Sequence, residues 1–311
     1  MQTRKPIVAG QFYSAGNNSC LAEINECLRE EKLPKSLPET IVAGIVPHAG
    51  WTFSGGLAAL VFSAIKQRCD KVDTFIIFGA AHRYYGLTPA VYNKGSWLTP
   101  LGKVTVDEEL AEIVLKTVAA VADPDAHEGE HSIEVQIPFI QHLFPDAKIL
   151  PILTPPSEQA ILLGDAVGDI IKPALEGRGL ARLDSPRRGW AKGGQQKKIV
   201  CIGSTDLTHY GPGYGFTPMG TGAKALRWAS EVNDKEFIDF ALQSNPQKML
   251  ASAAENYNAC GAGAAAAAVA VAKKLGKTKG LLLAHTNSND VMQQKMGRSS
   301  EEAVGYAAIV F

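Results

Sequence analysis

Apolar and polar positions follow two different periods along this chain. Short unbroken apolar runs rich in β-branched residues occur at IVAGIV (41–46), TFIIFG (74–79), KILPIL (148–153), KIVCIG (198–203) and GLLLAH (280–285), and the chain closes on VGYAAIVF (304–311). Runs of this length and composition read as strands buried on both faces. Between them the spacing turns helical. Leu57, Leu60, Val61, Ala64 and Ile65 share one face after the first run, and a second helical stretch covers residues 159–172. A third, AAAAAVAVAKKLG, consists mainly of alanine, the strongest helix former. Strands that alternate with helices predict an α/β fold with a central mixed β-sheet flanked by helices. No internal repeat and no shift of composition divides the chain, so one layered domain over residues 1–311 is expected. Residues 182–197 interrupt the pattern with Arg182, Arg187, Arg188, Lys192 and Lys197 among glycines. That stretch predicts a flexible, solvated surface loop, with binding of an acidic partner as the alternative.

Composition narrows the function classes. Of 311 residues, 46% are hydrophobic and 20% charged, enough to bury a substantial core. Lys and Arg number 31 and Asp and Glu also 31, so no global field favours nucleic acid or an anionic membrane. A small molecule or another protein is the expected partner. No apolar run reaches the length of a membrane span, and the opening MQTRKPIVAG has no signal-peptide core, so a cytoplasmic location is expected. Five cysteines without paired spacing predict reduced thiols instead of a disulfide framework. Cys20, Cys27 and Cys69 lie in or beside helical patterns and Cys201 lies in a strand run, so packing is their expected role.

HEGEHSIEVQIPF (127–139) contains His127-Glu128-x-x-His131, the letters of the zinc-metalloprotease signature. That signature works only inside a continuous helix, where histidines four apart share a face. Here Asp123-Pro124-Asp125 precedes it and Gly129 lies within it, which predicts a turn, with a helix beginning near His131-Ser132. Pro138 then either bends that helix or marks its first turn. The nearest candidate for the third ligand a zinc protease needs, His142, lies on the same short segment instead of arriving from a separate element. The protease reading is therefore set aside.

The chemistry collects after the strands. IVAGIV leads into Pro47-His48, TFIIFG into Ala80-Ala81-His82, and KIVCIG into Ser204-Thr205-Asp206-Leu207-Thr208-His209. Three of the seven histidines thus follow the carboxyl ends of strands, where open α/β sheets place ligand sites. Together they predict a metal or acid–base site. Cys260, in Ala259-Cys260-Gly261-Ala262-Gly263, precedes the alanine-rich helix. There the helix dipole would favour a thiolate, the form that binds metal; a small buried packing residue is the alternative.

Eight ordered blocks resemble the Memo family, which includes the mediator of cell motility and the AmmeMemoRadiSam system protein B group. They are RKPIVAGQFYSAG, GIVPHAGWTFSG, FGAAHR, SWLTPLGKVTVDEEL, EHSIEVQIPF, STDLTHYG, ACGAG and VGYAAIVF, and they run from end to end of the chain. The resemblance implies a fold like that of class III extradiol dioxygenases, in which two histidines and a glutamate hold Fe(II) beside a catechol and O₂. In Memo-like proteins a cysteine stands in the place of the glutamate. Carried onto this chain, the implied metal ligands are His48, His82 and Cys260. His131 and His209 match second-sphere histidines, and Asp206 is expected to orient His209 or to face the pocket. His127 is then an incidental neighbour. Two departures stand out: Ala81 and Arg83 occupy places where the family often has a second polar residue or histidine, and the stretch 182–197 is longer than usual.

The resemblance implies Fe(II) as cofactor, with Cu or Zn as alternatives because thiolate is softer than carboxylate. The expected function is an Fe(II)-dependent oxidation of a small diol, His209 taking a hydroxyl proton and His131 supplying a hydrogen bond beside the oxygen position. The alternative is a non-enzymatic protein that handles copper or iron, or recognises a peptide or protein in the same cleft. Radical-SAM and AMMECR-type proteins are the partners the family name implies.

Overall fold

The computed structural model describes residues 2–30, 32–177 and 197–311. The strands are β1 (Thr3–Arg4), β2 (Ala43–Val46), β3 (Thr74–Gly79), β4 (Ala90–Val91), β5 (Ser96–Thr99), β6 (Gly102–Thr105), β7 (Val121–Ala122), β8 (Lys148–Leu153), β9 (Ile199–Ser204), β10 (His209–Tyr210), β11 (Leu281–Asn287) and β12 (Ala303–Val310). The α-helices are α1 (Asn17–Glu30), α2 (Trp51–Arg68), α3 (Glu108–Thr117), α4 (Ile137–Leu143), α5 (Glu158–Leu175), α6 (Ala223–Trp228), α7 (Lys235–Leu242), α8 (Pro246–Asn256), α9 (Ala262–Lys274) and α10 (Ser288–Met296). Each of the six apolar runs forms a strand, with ends within two residues of the expected ones. The basic stretch 182–197 lies outside the described residues except for Lys197, which pairs with Glu109 at 2.8 Å.

The main sheet runs in the order β10-β12-β2-β9-β3-β8-β4-β7, with β11 also paired to β12. Its centre, β2-β9-β3-β8, is parallel, and antiparallel β12 and β4 flank it, so the sheet is mixed. β1, β5 and β6 form a separate small sheet. The order matters for function because β9, late in the chain, inserts between β2 and β3. Gly203 is in register with Ile45 on one side and Phe78 on the other, so the loops after all three strands leave the sheet at one place.

Helices cover both faces. A Cβ on Gly44 would meet Val61 of α2, whereas a Cβ on Gly203 would meet the Ala264 carbonyl of α9 at 2.6 Å. Gly44 is in register with Ile202, and Gly203 is the next residue, pointing the other way. α2 and α9 therefore lie on opposite faces. α1, α4 and α10 pack beside α2, and α5, α7 and α8 pack beside α9. Residues Ala262 to Ala272 of α9 are all buried, which explains its lack of an apolar stripe: small side chains all round let it sit against β9 and α5 at once. Among the described residues no helix is long and apolar enough to cross a membrane.

One expected element begins late. The chain turns at Ser132 and Ile133, makes a 3-10 turn at Glu134–Gln136, and only then begins α4 at Ile137. Pro138 lies in the first turn of that helix, where its missing N–H costs nothing. The residues expected to start the helix are held instead by a local Glu130 turn and by long-range bonds. Glu130 accepts the backbone N–H groups of His131 and Ser132, and Glu134 accepts those of Ile7 and Val8 and the Tyr13 hydroxyl. Arg4 ties the segment down, donating to the carbonyls of His127 and Glu130 and to the Glu134 carboxylate at 2.7 Å.

Candidate metal centre

His48, two residues beyond β2, is 2% exposed. Its backbone N–H donates to Asp206 Oδ1 at 2.7 Å, and its ring Nδ1 lies 3.1 Å from Ser204 Oγ. The Ser204 hydroxyl donates its single proton to the Ser132 carbonyl at 2.8 Å and also accepts from Gln136 Nε2. It can therefore only accept from His48, which puts the ring proton on Nδ1 and leaves Nε2 with a bare lone pair. That Nε2 faces Cys260 Sγ at 3.2 Å. Burial pulls the His48 imidazole well below the ordinary range, and His82 and His131 add to the effect, so the ring is neutral.

His82, three residues beyond β3, is oriented by a different partner. Its Nδ1 lies 3.0 Å from Glu130 Oε1, and its backbone N–H donates to Glu130 Oε2 at 3.1 Å. Burial alone would raise the Glu130 carboxyl, but the His82 hydrogen bond and charge and the Ser132 N–H outweigh it and hold the group well below the usual carboxylate range. An ionised carboxylate only accepts, so His82 also carries its proton on Nδ1 and keeps Nε2 free. Burial opposes protonation of His82, yet the bond to Glu130 raises its pKa overall. Such a carboxylate–histidine pair fixes a ligand's tautomer and increases its basicity.

Cys260 lies two residues before α9, its backbone N–H donating to the Asp206 carbonyl at 3.2 Å. The expectation that the helix terminus makes it a thiolate is not met. Burial pushes the thiol above its ordinary range and the Asp206 charge adds to this, outweighing hydrogen bonds from the Asp206 backbone and the Thr205 hydroxyl. The thiol proton is instead available to the bare Nε2 of His48, and a metal ion would displace it. Ligand atoms of His48, His82 and Cys260 all lie within 4.8 Å of one another, close enough to hold one ion. His82, Glu130 and His131 form a second such group, but every Glu130 bond described above already serves the His82–Ser132 loop.

The remaining predicted residues surround this triad. The His131 ring stacks on His82 with centroids 5.0 Å apart, and burial lowers its pKa. His209, at the start of β10, donates from Nδ1 to the Leu207 carbonyl at 3.0 Å, which leaves its Nε2 bare. Burial lowers its pKa too. Asp206 does not orient His209; its carboxylate holds the backbone of His48 and lines the pocket, and burial pushes it up to about 7. A pocket of about 530 Å³ opens over His48, His82, His131, Asp206 and His209. His127 is elsewhere, buried against Tyr92 and Trp97 with its Nδ1 on the Asp123 carbonyl at 3.1 Å. The metalloprotease letters therefore have no shared face and no shared site.

Ser204, Glu130 and Gln136 are absent from the sequence-based candidates, although each lies in a block quoted above. So are Asn233 and Asp234, at the end of a π-helical turn (Ala229–Asp234). Asp234 accepts the Thr208 N–H at 2.9 Å and contacts His285 Nε2 at 3.1 Å, while Asn233 donates to Thr208 Oγ1 at 3.0 Å. Together they fix the loop that ends on His209; single π turns recur at functional sites.

A family profile described as Memo-like protein matches residues 4–179 and 190–310. A MEMO1 family protein of Thermococcus onnurineus is 35% identical over 315 residues, covering 99% of each chain. One from Thermococcus kodakarensis is 36% identical over 315 residues, again 99% of each chain. One from Methanosarcina mazei is 33% identical over 313 residues, covering 100% of this chain and 99% of its own.

Proposed function

This chain belongs to the Memo-like protein family, and we propose that it holds one redox-active metal ion, Fe(II), on His48, His82 and Cys260, and oxidises a small diol-like substrate in the pocket above. The observation that carries the reading is the pair of fixed tautomers. Ser204 and Glu130 each take an Nδ1 proton, so the buried His48 and the more exposed His82 both turn an Nε2 lone pair toward one sulfur when their rings are neutral. Packing alone does not require two histidines to carry bare lone pairs in the same place.

When bound, Fe(II) supplies open coordination positions and electrons for chemistry with O₂ and a chelating diol. The protein's own part is positional. His209 is neutral with a bare Nε2, suited to accept a hydroxyl proton from the diol. His131, whose pKa burial also lowers, lines the same pocket and as a neutral ring offers one N–H as a donor. Asp206 keeps the His48 loop in place through the backbone bond.

The sulfur favours a second reading. A thiolate with two imidazoles is a soft set that also suits Cu(I), so the same site would serve a protein that binds and passes on copper. Anaerobic purification followed by separate reconstitution with Fe(II) and Cu(I) distinguishes the two, using wild type and His48→Ala, His82→Ala and Cys260→Ala. Near-stoichiometric iron that is lost in all three variants, with O₂ uptake on adding a catechol, is the expected result. Preferential tight Cu(I) binding would move the function to metal handling, and no metal under either condition would sink the site.

A further inference from the structure

The charge of the pocket narrows its substrate class, an argument that rests on the diol reading above. Its walls are apolar and largely aromatic: Phe12, Phe53, Tyr214, Met292, Val304 and Tyr306. Two lining side chains are acids, Asp206 and Glu302, and among the described residues none of the lining side chains is Lys or Arg. Both acids are held by the backbone, Asp206 accepting the His48 N–H and Glu302 the Gly213 N–H. Neither forms an ion pair with Lys or Arg among the described residues. A backbone donor orients the Glu302 carboxylate without cancelling its charge, whereas burial favours the neutral form of Asp206, so it is beside Glu302 that an anionic substituent meets repulsion and a cationic one attraction. The aromatic faces favour a flat ring and are equally suited to a cationic substituent.

We propose that this pocket takes a neutral or amine-bearing aromatic diol and discriminates against one that carries a carboxylate, with Glu302 setting the preference. An aromatic carboxylate finds no guanidinium or ammonium on the pocket wall to pair with. A protonated amine on the same ring has Glu302 as its partner.

The test uses the full chain loaded with Zn(II), which is redox-silent, so that binding is read without turnover. Catechol, dopamine and protocatechuate are titrated by calorimetry into the wild type and Glu302→Gln, whose amide oxygen can still accept the Gly213 N–H. Thermal unfolding and zinc content check that the variant keeps its fold and metal. Protocatechuate is expected to bind at least about tenfold more weakly than catechol, and dopamine at least as tightly as catechol. In Glu302→Gln that gap should close. Equal or tighter binding of protocatechuate would overturn the proposal, and a gap unchanged in Glu302→Gln would overturn the role of Glu302. If none of the three binds the zinc-loaded protein, the diol reading itself fails and takes this inference with it; if catechol binds and the order is reversed, only the inference fails.

Discussion

The Ser204 hydroxyl has one proton, and the Ser132 carbonyl takes it at 2.8 Å, so the histidine beside it must donate. Removing that hydroxyl frees His48 to change tautomer and strands a buried ring N–H. Ser204→Ala should weaken metal binding by about tenfold to a hundredfold, the usual effect of losing a second-shell partner. The stability cost should be about 1–3 kcal/mol for the donors left unpaired. Chelator competition measures the first and denaturant unfolding the second. Unchanged affinity in a folded variant would remove the tautomer argument. At this scale the sequence pointed to the proposed ligands but not to the groups that hold them. His48 and His82 announce themselves by following strands, whereas Ser204 reads as the polar end of an apolar run. Its role depends on a carbonyl 72 residues away.

Among the elements, α9 shows how packing can govern a site. It touches β9 where Gly203 has no side chain, and a Cβ there would lie 2.6 Å from the Ala264 carbonyl and 2.9 Å from Ala265 Cα. Both obstacles are backbone, so neither can rotate away. Gly203→Ala should therefore cost about 1–3 kcal/mol as an overpacked core change. Because Cys260 stands just before α9, pushing the helix outward should also loosen the metal site. Urea unfolding midpoints together with metal stoichiometry would show both effects; a variant as stable as wild type would mean that the helix and strand are less tightly apposed. The strands and α2, α5 and α9 were legible because their periods are strong. The start of α4 was not, because Glu134 and Arg4 commit the preceding residues to bonds with the chain's N-terminal segment that no local pattern encodes.

For the whole molecule, the three proposed ligands come from distant parts of the chain and meet only in the folded state. Metal should therefore bind the native state and not the unfolded one, adding about 2.7 kcal/mol of stability when the free ion is a hundredfold above its dissociation constant. The pH dependence has a definite sign. Burial, then the Asp206 charge, keeps the Cys260 thiol protonated through the neutral range, so each ion bound releases a proton. Affinity should fall about tenfold for each pH unit lost. The slope should steepen at lower pH as His82 charges, since Glu130 raises its pKa against the pull of burial. His48, whose pKa is lowered, adds nothing there. Thermal unfolding with and without metal at several pH values measures this, and a stabilisation independent of pH would exclude a thiolate ligand. The sequence by itself determined the α/β class, most of the sheet and the family, because apolar period and ordered motifs are local properties of the chain. Only the tertiary structure decided how the ligands meet, which nitrogens are bare and what charge lines the pocket. Those depend on β9 inserting between β2 and β3 and on hydrogen bonds between residues far apart in sequence.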